Sequence, residues 1–153
     1  MKALIISLLW GLAGLAVAGG MPTPSVQSTS VSVLEELVKR SGIPKDEMKS
    51  VLENCDATQL SMNFCSLRDQ IVADAKLRQL IVDKKLRVPN CSDAIDAKVA
   101  AWQKNRDANC AKTAAKEFGS GSMEPTARLI CSTASTRDFT SKLSARNFHC
   151  GTK

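Results

Sequence analysis

The chain has no tyrosine, a single histidine and 4% aromatic residues, and none of its six cysteines is spaced as Cys-x-x-Cys. Each shortage removes a class of chemistry. Zinc sites draw on several cysteines and histidines at short spacing, whereas His149 stands alone beside Cys150 near the end of the sequence. A serine or cysteine nucleophile needs a base within hydrogen-bond reach, which one terminal histidine supplies poorly. The run Gly119-Ser120-Gly121-Ser122 lacks the Gly-Lys-Ser/Thr ending of a phosphate loop. Carboxylates occur mainly at expected helix starts and on charged faces, not as an isolated catalytic pair. The sequence points away from an enzyme and calls for no metal or cofactor.

Long apolar runs are equally scarce beyond the first twenty residues. Residues 3–17 are almost continuously apolar, Lys2 precedes them, and Ala16-Val17-Ala18 places small residues where a signal peptidase reads. The run is shorter than the ~20 residues of a membrane-spanning helix. Residues 1–18 are therefore expected to be a signal peptide cleaved after Ala18, which leaves no membrane anchor and puts the protein in the periplasm or outside the cell. In an oxidising compartment an even number of cysteines implies disulfides, so Cys55, Cys65, Cys91, Cys110, Cys131 and Cys150 are read as three bridges.

Residues 19–30 are rich in Pro, Ser and Thr without an apolar period, and are expected to be a disordered linker. Residues 31–53 read as a pair of short helices. The first carries Val33, Leu34, Leu37 and Val38 on one side and stops at Ser41-Gly42; the second opens at Pro44 and turns Met48, Val51 and Leu52 inward. Residues 54–150 form the main body. Asp56 and Gln59 resemble a capping box ahead of a long helix in which Leu60, Phe64, Leu67, Ile71, Leu77, Leu80 and Ile81 recur to about Lys85. Val88-Pro89-Asn90 breaks it, and Ser92 and Asp93 offer caps for the next helix, whose stripe is Ile95, Val99, Trp102, Arg106 and Cys110. Gly119 ends that helix. Pro125 starts a third, with Ile130, Cys131, Ala134, Phe139 and Leu143 expected inward. The predicted fold is all-α: a disulfide-stapled bundle of three main helices plus two short N-terminal ones.

The formal net charge is +6. A basic surface favours anionic partners, and the short pair around Ser41-Gly42 has the look of a helix-turn-helix. Export outweighs that resemblance, because an exported protein meets little chromosomal DNA, and two small amphipathic helices joined at a glycine also arise from packing alone. No nucleic-acid partner is expected.

Trp102-x-x-x-Arg106-Asp107-x-x-Cys110 carries the most information. Its residues at four-residue spacing line an indole, a guanidinium and a sulfur along one helix face, where they pack, pair with a carboxylate and form a staple. Asp74 is the carboxylate expected opposite Arg106, and the set reads first as scaffolding. Together with Asn54-Cys55-Asp56, Thr58-Gln59, Met62-Asn63-x-Cys65, Ala73-Asp74-x-x-Leu77, the 119–122 turn, and Cys131 followed by Thr136 and Leu143, it resembles the LprI-like family over about residues 54–143. That family comprises small exported bacterial helical domains, some of them lysozyme inhibitors. The chain departs from it at Arg78 and Ile81, where an asparagine and a tyrosine are common, and near Phe139, where an arginine is common.

The resemblance implies a protein partner, a lysozyme for the inhibitory members; the other reading is an envelope structural or interaction domain without inhibitory action. The oligomeric state is not indicated. Gly119, Ser120, Gly121, Ser122 and Glu124 are the natural candidates for partner contact, because glycines let a backbone approach a cleft closely and Glu124 adds a charge. For the bridges, a helix across residues 55–65 would separate Cys55 from Cys65 by about 13 to 15 Å, against about 6 Å for a disulfide. On that premise the two pair with Cys110 and Cys131. The order is open, with Cys65–Cys110 and Cys55–Cys131 preferred. Cys91 and Cys150, outside the family set, are expected to join each other.

Overall fold

The computed structural model describes residues 26–148, and among them every regular element is helical. The helices are α1 (Val26–Ser41), α2 (Lys45–Glu53), α3 (Gln59–Arg87), α4 (Ser92–Phe118) and α5 (Glu124–Ala145), with a 3-10 turn at Pro89–Cys91 joining α3 to α4. The expected signal peptide lies outside the described residues. So does most of the expected linker, but α1 begins at Val26 and takes in its last residues. Serine and threonine there are compatible with a helix that the apolar stripe from Val33 onward anchors.

Local signals set most boundaries. Gly42 holds φ 73°, a conformation costly for other residues, and its N–H closes on Val38 O at 2.8 Å. Pro44 then stands before α2. Thr58, rather than Asp56, caps α3: its hydroxyl accepts from Ser61 N at 3.0 Å. Neither Ser92 nor Asp93 caps α4. That role falls to Cys91 without a side-chain bond, because the 3-10 turn runs directly into the helix. Gly119 ends α4 with φ 59°.

Helix α3 is the spine. One side carries a core of Val33 and Leu37 from α1, Met48 from α2 and Ile71, with Leu34, Val38, Ile43, Leu52, Phe64, Leu67 and Val72 around it. Leu37 and Met48 are fully buried, each stabilising by about 2 kcal/mol. A second core of Leu77, Phe139 and Leu143, packed by Leu80, Ile81, Val99, Trp102 and Phe148, joins α3, α4 and α5. Helix α5 lies along α3 and also packs on α4, while the backbones of α3 and α4 approach each other at few points. Side chains bridge the gap: Lys85 reaches Asp96 at 2.5 Å near the 3-10 turn, and Arg106 meets Asp74 further along. The three long helices therefore form an open arrangement with α5 as its floor.

The inward face of α5 differs from the expected one. Ile130 is 57% exposed and Ala134 is also exposed. The buried positions are Thr126, Ser132, Thr133, Thr136, Phe139 and Leu143, so one half of the helix packs through hydroxyls. Leu60, expected inward on α3, is likewise exposed.

The bridges also differ from the preferred pairing. Cys55 joins Cys65, with Cα atoms 5.7 Å apart, and Cys110 joins Cys131, at 5.6 Å. The premise of a helix through residues 55–65 fails, because α3 starts only at Gln59. Ahead of it the chain turns back on itself, with Ala57 N on Asn54 O and Asp56 N on the Asn54 side chain, both at 3.3 Å, and Cys55 returns beside Cys65. Cys110 and Cys131 then face each other across the α4–α5 turn. Cys91 is buried and disulfide-bonded. Cys150, its expected partner, lies outside the described residues.

Candidate functional site

Gln70 and Asp74 are one helical turn apart on α3, and Trp102, Arg106 and Cys110 repeat the same spacing on α4. These two stripes meet over α5. The Arg106 guanidinium, 8% exposed, donates from Nη1 to Asp74 Oδ1 at 3.0 Å and to Thr136 Oγ1 at 2.8 Å, and from Nε to Asp107 Oδ1 at 2.8 Å. Gln70 Nε2 adds a second donor to Asp74 Oδ1 at 2.7 Å, and Thr133 Oγ1 donates to Gln70 Oε1 at 3.1 Å. The single Thr136 hydroxyl hydrogen goes to Ser132 O at 2.8 Å, which leaves its oxygen to accept from Arg106. Among the described residues no buried side-chain polar atom lacks a partner.

Below the network lies an aromatic ledge. Trp102 stacks on Phe139 at 4.2 Å between ring centroids and 7° between planes, and the Arg106 guanidinium sits 5.0 Å from the Trp102 ring. Such a cation over an indole adds about 0.5 to 2 kcal/mol, more when desolvated. One helical turn beyond Arg106 on the same stripe, Cys110–Cys131 clamps α4 to α5. The constellation Asp74, Trp102, Arg106, Asp107 is thus brought together as a positioned polar cluster on an apolar base.

A second polar layer, nearer the start of α3, was not legible as such. Gln59 Nε2 donates to Asn63 Oδ1 and to Thr126 Oγ1, each at 3.1 Å, and Thr126 Oγ1 donates in turn to Asn63 Oδ1. Gln59 and Asn63 both occur in the motif set, but nothing in a single sequence says that they lie opposite an α5 hydroxyl. The signal the sequence does carry is the run of Ser and Thr at helical spacing on α5.

The turn between α4 and α5 is compact. Gly121 N closes on Phe118 O and Glu124 N on Gly121 O, both at 3.0 Å. Gly119, Ser120, Gly121 and Ser122 are exposed and Glu124 is partly so. A Cβ on Gly121 would lie 3.0 Å from Phe118 O, so that position is tight, whereas Gly119 has open space but a positive φ. Gln59 on Thr126 places this turn at the same end of the molecule as the Cys55–Cys65 turn.

Between α3 and α4, above α5, runs an open groove of about 480 Å³ that includes Gln70, Asp74, Arg106, Asp107, Glu124 and Arg128 in its walls. It connects the polar cluster to the first residue of α5. A neighbouring groove of about 390 Å³ between α1 and α3 shares Gln70 and Asp74 with it. Among the described residues no group of His, Cys, Asp and Glu is arranged to hold a metal ion, and no helix is long and apolar enough to cross a membrane.

No curated protein and no solved structure matches the chain significantly. A family model does, that of the lysozyme inhibitor LprI, over residues 53–143. The matched span begins at the last residue of α2 and ends in α5, so it takes in both described bridges, the Arg106 network and the α4–α5 turn. It covers more than half of the sequence, and the chain belongs to the LprI lysozyme inhibitor family.

Proposed function

We propose that the protein is an exported binding protein that inhibits a lysozyme, and that it does so without catalysis of its own. Family membership over residues 53–143, which take in α3, α4 and most of α5, carries this reading. The bridges Cys55–Cys65 and Cys110–Cys131 support an oxidising, extracytoplasmic setting, as does the apolar start of the sequence. The contact surface is the end of the bundle where the exposed 119–122 turn and Glu124 project, held rigid by the turn hydrogen bonds and by the Cys110–Cys131 clamp. A rigid, polar, glycine-containing turn loses little conformational freedom on entering an enzyme cleft.

The test is turbidimetric lysis of bacterial cell walls with a panel of lysozyme classes and purified oxidised protein. Slowed lysis with at least one class is expected at micromolar inhibitor, and Ser122→Ala with Glu124→Ala weakens it while leaving the melting curve intact. No slowing with any class defeats inhibition and leaves an envelope interaction domain. Full inhibition by the double variant keeps the activity and moves the contact elsewhere.

A further inference from the structure

We propose that the groove between α3 and α4 receives a polypeptide segment of the partner that presents a lysine or arginine side chain. The partner's identity rests on the inhibitor reading; the chemistry of the groove does not. Asp74, Asp107 and Glu124 face it against the guanidiniums of Arg106 and Arg128, an excess of negative charge on a chain whose net charge is +6. A basic partner repelled by the molecule as a whole finds local complementarity here.

The donors and acceptors narrow the occupant further. Asp74 and Asp107 each engage Arg106 through Oδ1, and among the described residues neither Oδ2 accepts a hydrogen bond and Glu124 makes no ion pair. Arg106 holds both carboxylates in place, so little ordering is left for binding. Arg106 itself uses Nε and Nη1. Its Nη2 has no hydrogen-bond partner among the described residues, yet it is not sealed off, since no buried side-chain polar atom lacks a partner. The residues that line the groove therefore combine free carboxylate oxygens with a guanidinium nitrogen free to donate. A bare metal ion would use the oxygens and sit against a guanidinium. An anion would use the donor and face three carboxylates. A peptide satisfies both sets, its backbone carbonyl accepting from Nη2 while a cationic side chain meets the Oδ2 atoms, and 480 Å³ leaves room for that side chain with its backbone.

Titration of ¹⁵N-labelled, oxidised full chain with acetyl-Arg-Gly-Arg amide, and with acetyl-Glu-Gly-Glu amide as control, tests this directly. Saturable shifts for the basic peptide at Asp74, Asp107, Ser132 and the Arg106 Nε–H are expected, and little response to the acidic one. Asp107→Asn retains an acceptor for Arg106 and removes the charge, so it should fold normally and weaken the basic peptide by about fivefold. Shifts scattered over all exposed carboxylates, or unchanged affinity in Asp107→Asn, overturn the proposal. The lysis panel separates the two readings. Peptide binding with no lysozyme inhibited leaves the groove and removes the inhibitor. Inhibition of a basic lysozyme that Asp107→Asn leaves untouched keeps the inhibitor and removes the groove.

Discussion

Arg106 and Asp74 meet at 3.0 Å across the gap between α4 and α3, and their ion pair is a principal side-chain bridge between two helices whose backbones scarcely touch. The guanidinium is nearly buried, while Asp74 keeps about a third of its side chain in solvent. Removing the cation strands that carboxylate and the hydroxyl of Thr136. Arg106→Ala should cost about 3 kcal/mol, the lower end for breaking a buried pair because Asp74 retains some water. Arg106→Lys keeps the charge but has no fork to span Asp74, Asp107 and Thr136, and should recover only part of the loss. Urea denaturation of the two variants measures this; a wild-type midpoint for Arg106→Ala would make Arg106 a surface contact instead of scaffolding.

Thr136 tests the network from the other side. It is fully buried, accepts from Arg106 and donates to Ser132 O. Thr136→Val preserves volume but removes the acceptor, leaving a guanidinium N–H without its partner at a cost of about 1 to 3 kcal/mol. Thr136→Ser restores the hydroxyl and should return most of the stability. If valine and serine variants unfold at the same denaturant concentration, the hydrogen bond contributes nothing measurable.

The bridges give a prediction about covalent structure. Non-reducing peptide mapping should recover Cys55 with Cys65 and Cys110 with Cys131. Loop-closure entropy for sequence separations of 10 and 21 assigns each about 3 kcal/mol. Replacing Cys110 and Cys131 together by alanine should also loosen α4 from α5, seen as faster amide exchange at the 119–122 turn. Replacing Cys55 and Cys65 should leave that turn protected, since their bridge closes only the α2–α3 connection. Mapping that joined Cys65 to Cys110 would contradict the turn at residues 54–58.

Much of this architecture was legible in the sequence where a residue type has one structural consequence. Gly42, Pro44, Pro89, Gly119 and Pro125 punctuate the helices at or next to the observed boundaries. The Trp102, Arg106, Cys110 stripe likewise follows from spacing alone. The features that spacing does not disclose have a common physical cause. An apolar stripe is the usual sign of an inward face, but α5 buries Thr126, Thr133 and Thr136 because their hydroxyls are matched by Gln59, Asn63, Gln70 and Arg106 from other helices. That match exists only in three dimensions. The bridge pairing turns on a related point: a helix through residues 55–65 would hold Cys55 and Cys65 apart, whereas the turn at residues 54–58 brings them together.

Acid should reveal how much the N-terminal ion pairs matter. The Arg40 guanidinium, hydrogen-bonded to Glu36 at 2.7 Å, holds that carboxyl below its ordinary value of 4.5, and Lys49 on Asp46 at 2.8 Å lowers the second from 3.8. Folded-state values below the unfolded ones mean that the stabilisation is present at neutral pH. It declines once the pH drops under the ordinary carboxyl values and is gone below the depressed ones. Both pairs are exposed, so salt and solvent screening keep the effect small. Thermal melts between neutral pH and strong acid should therefore fall slightly less steeply for Glu36→Gln with Asp46→Asn than for the parent, with the two curves converging at the acid end. The same melts in high salt should show the difference vanish, because screening removes the pairs before protonation does. Parallel curves at low salt would mean that Arg40 and Lys49 do not hold these carboxylates in solution.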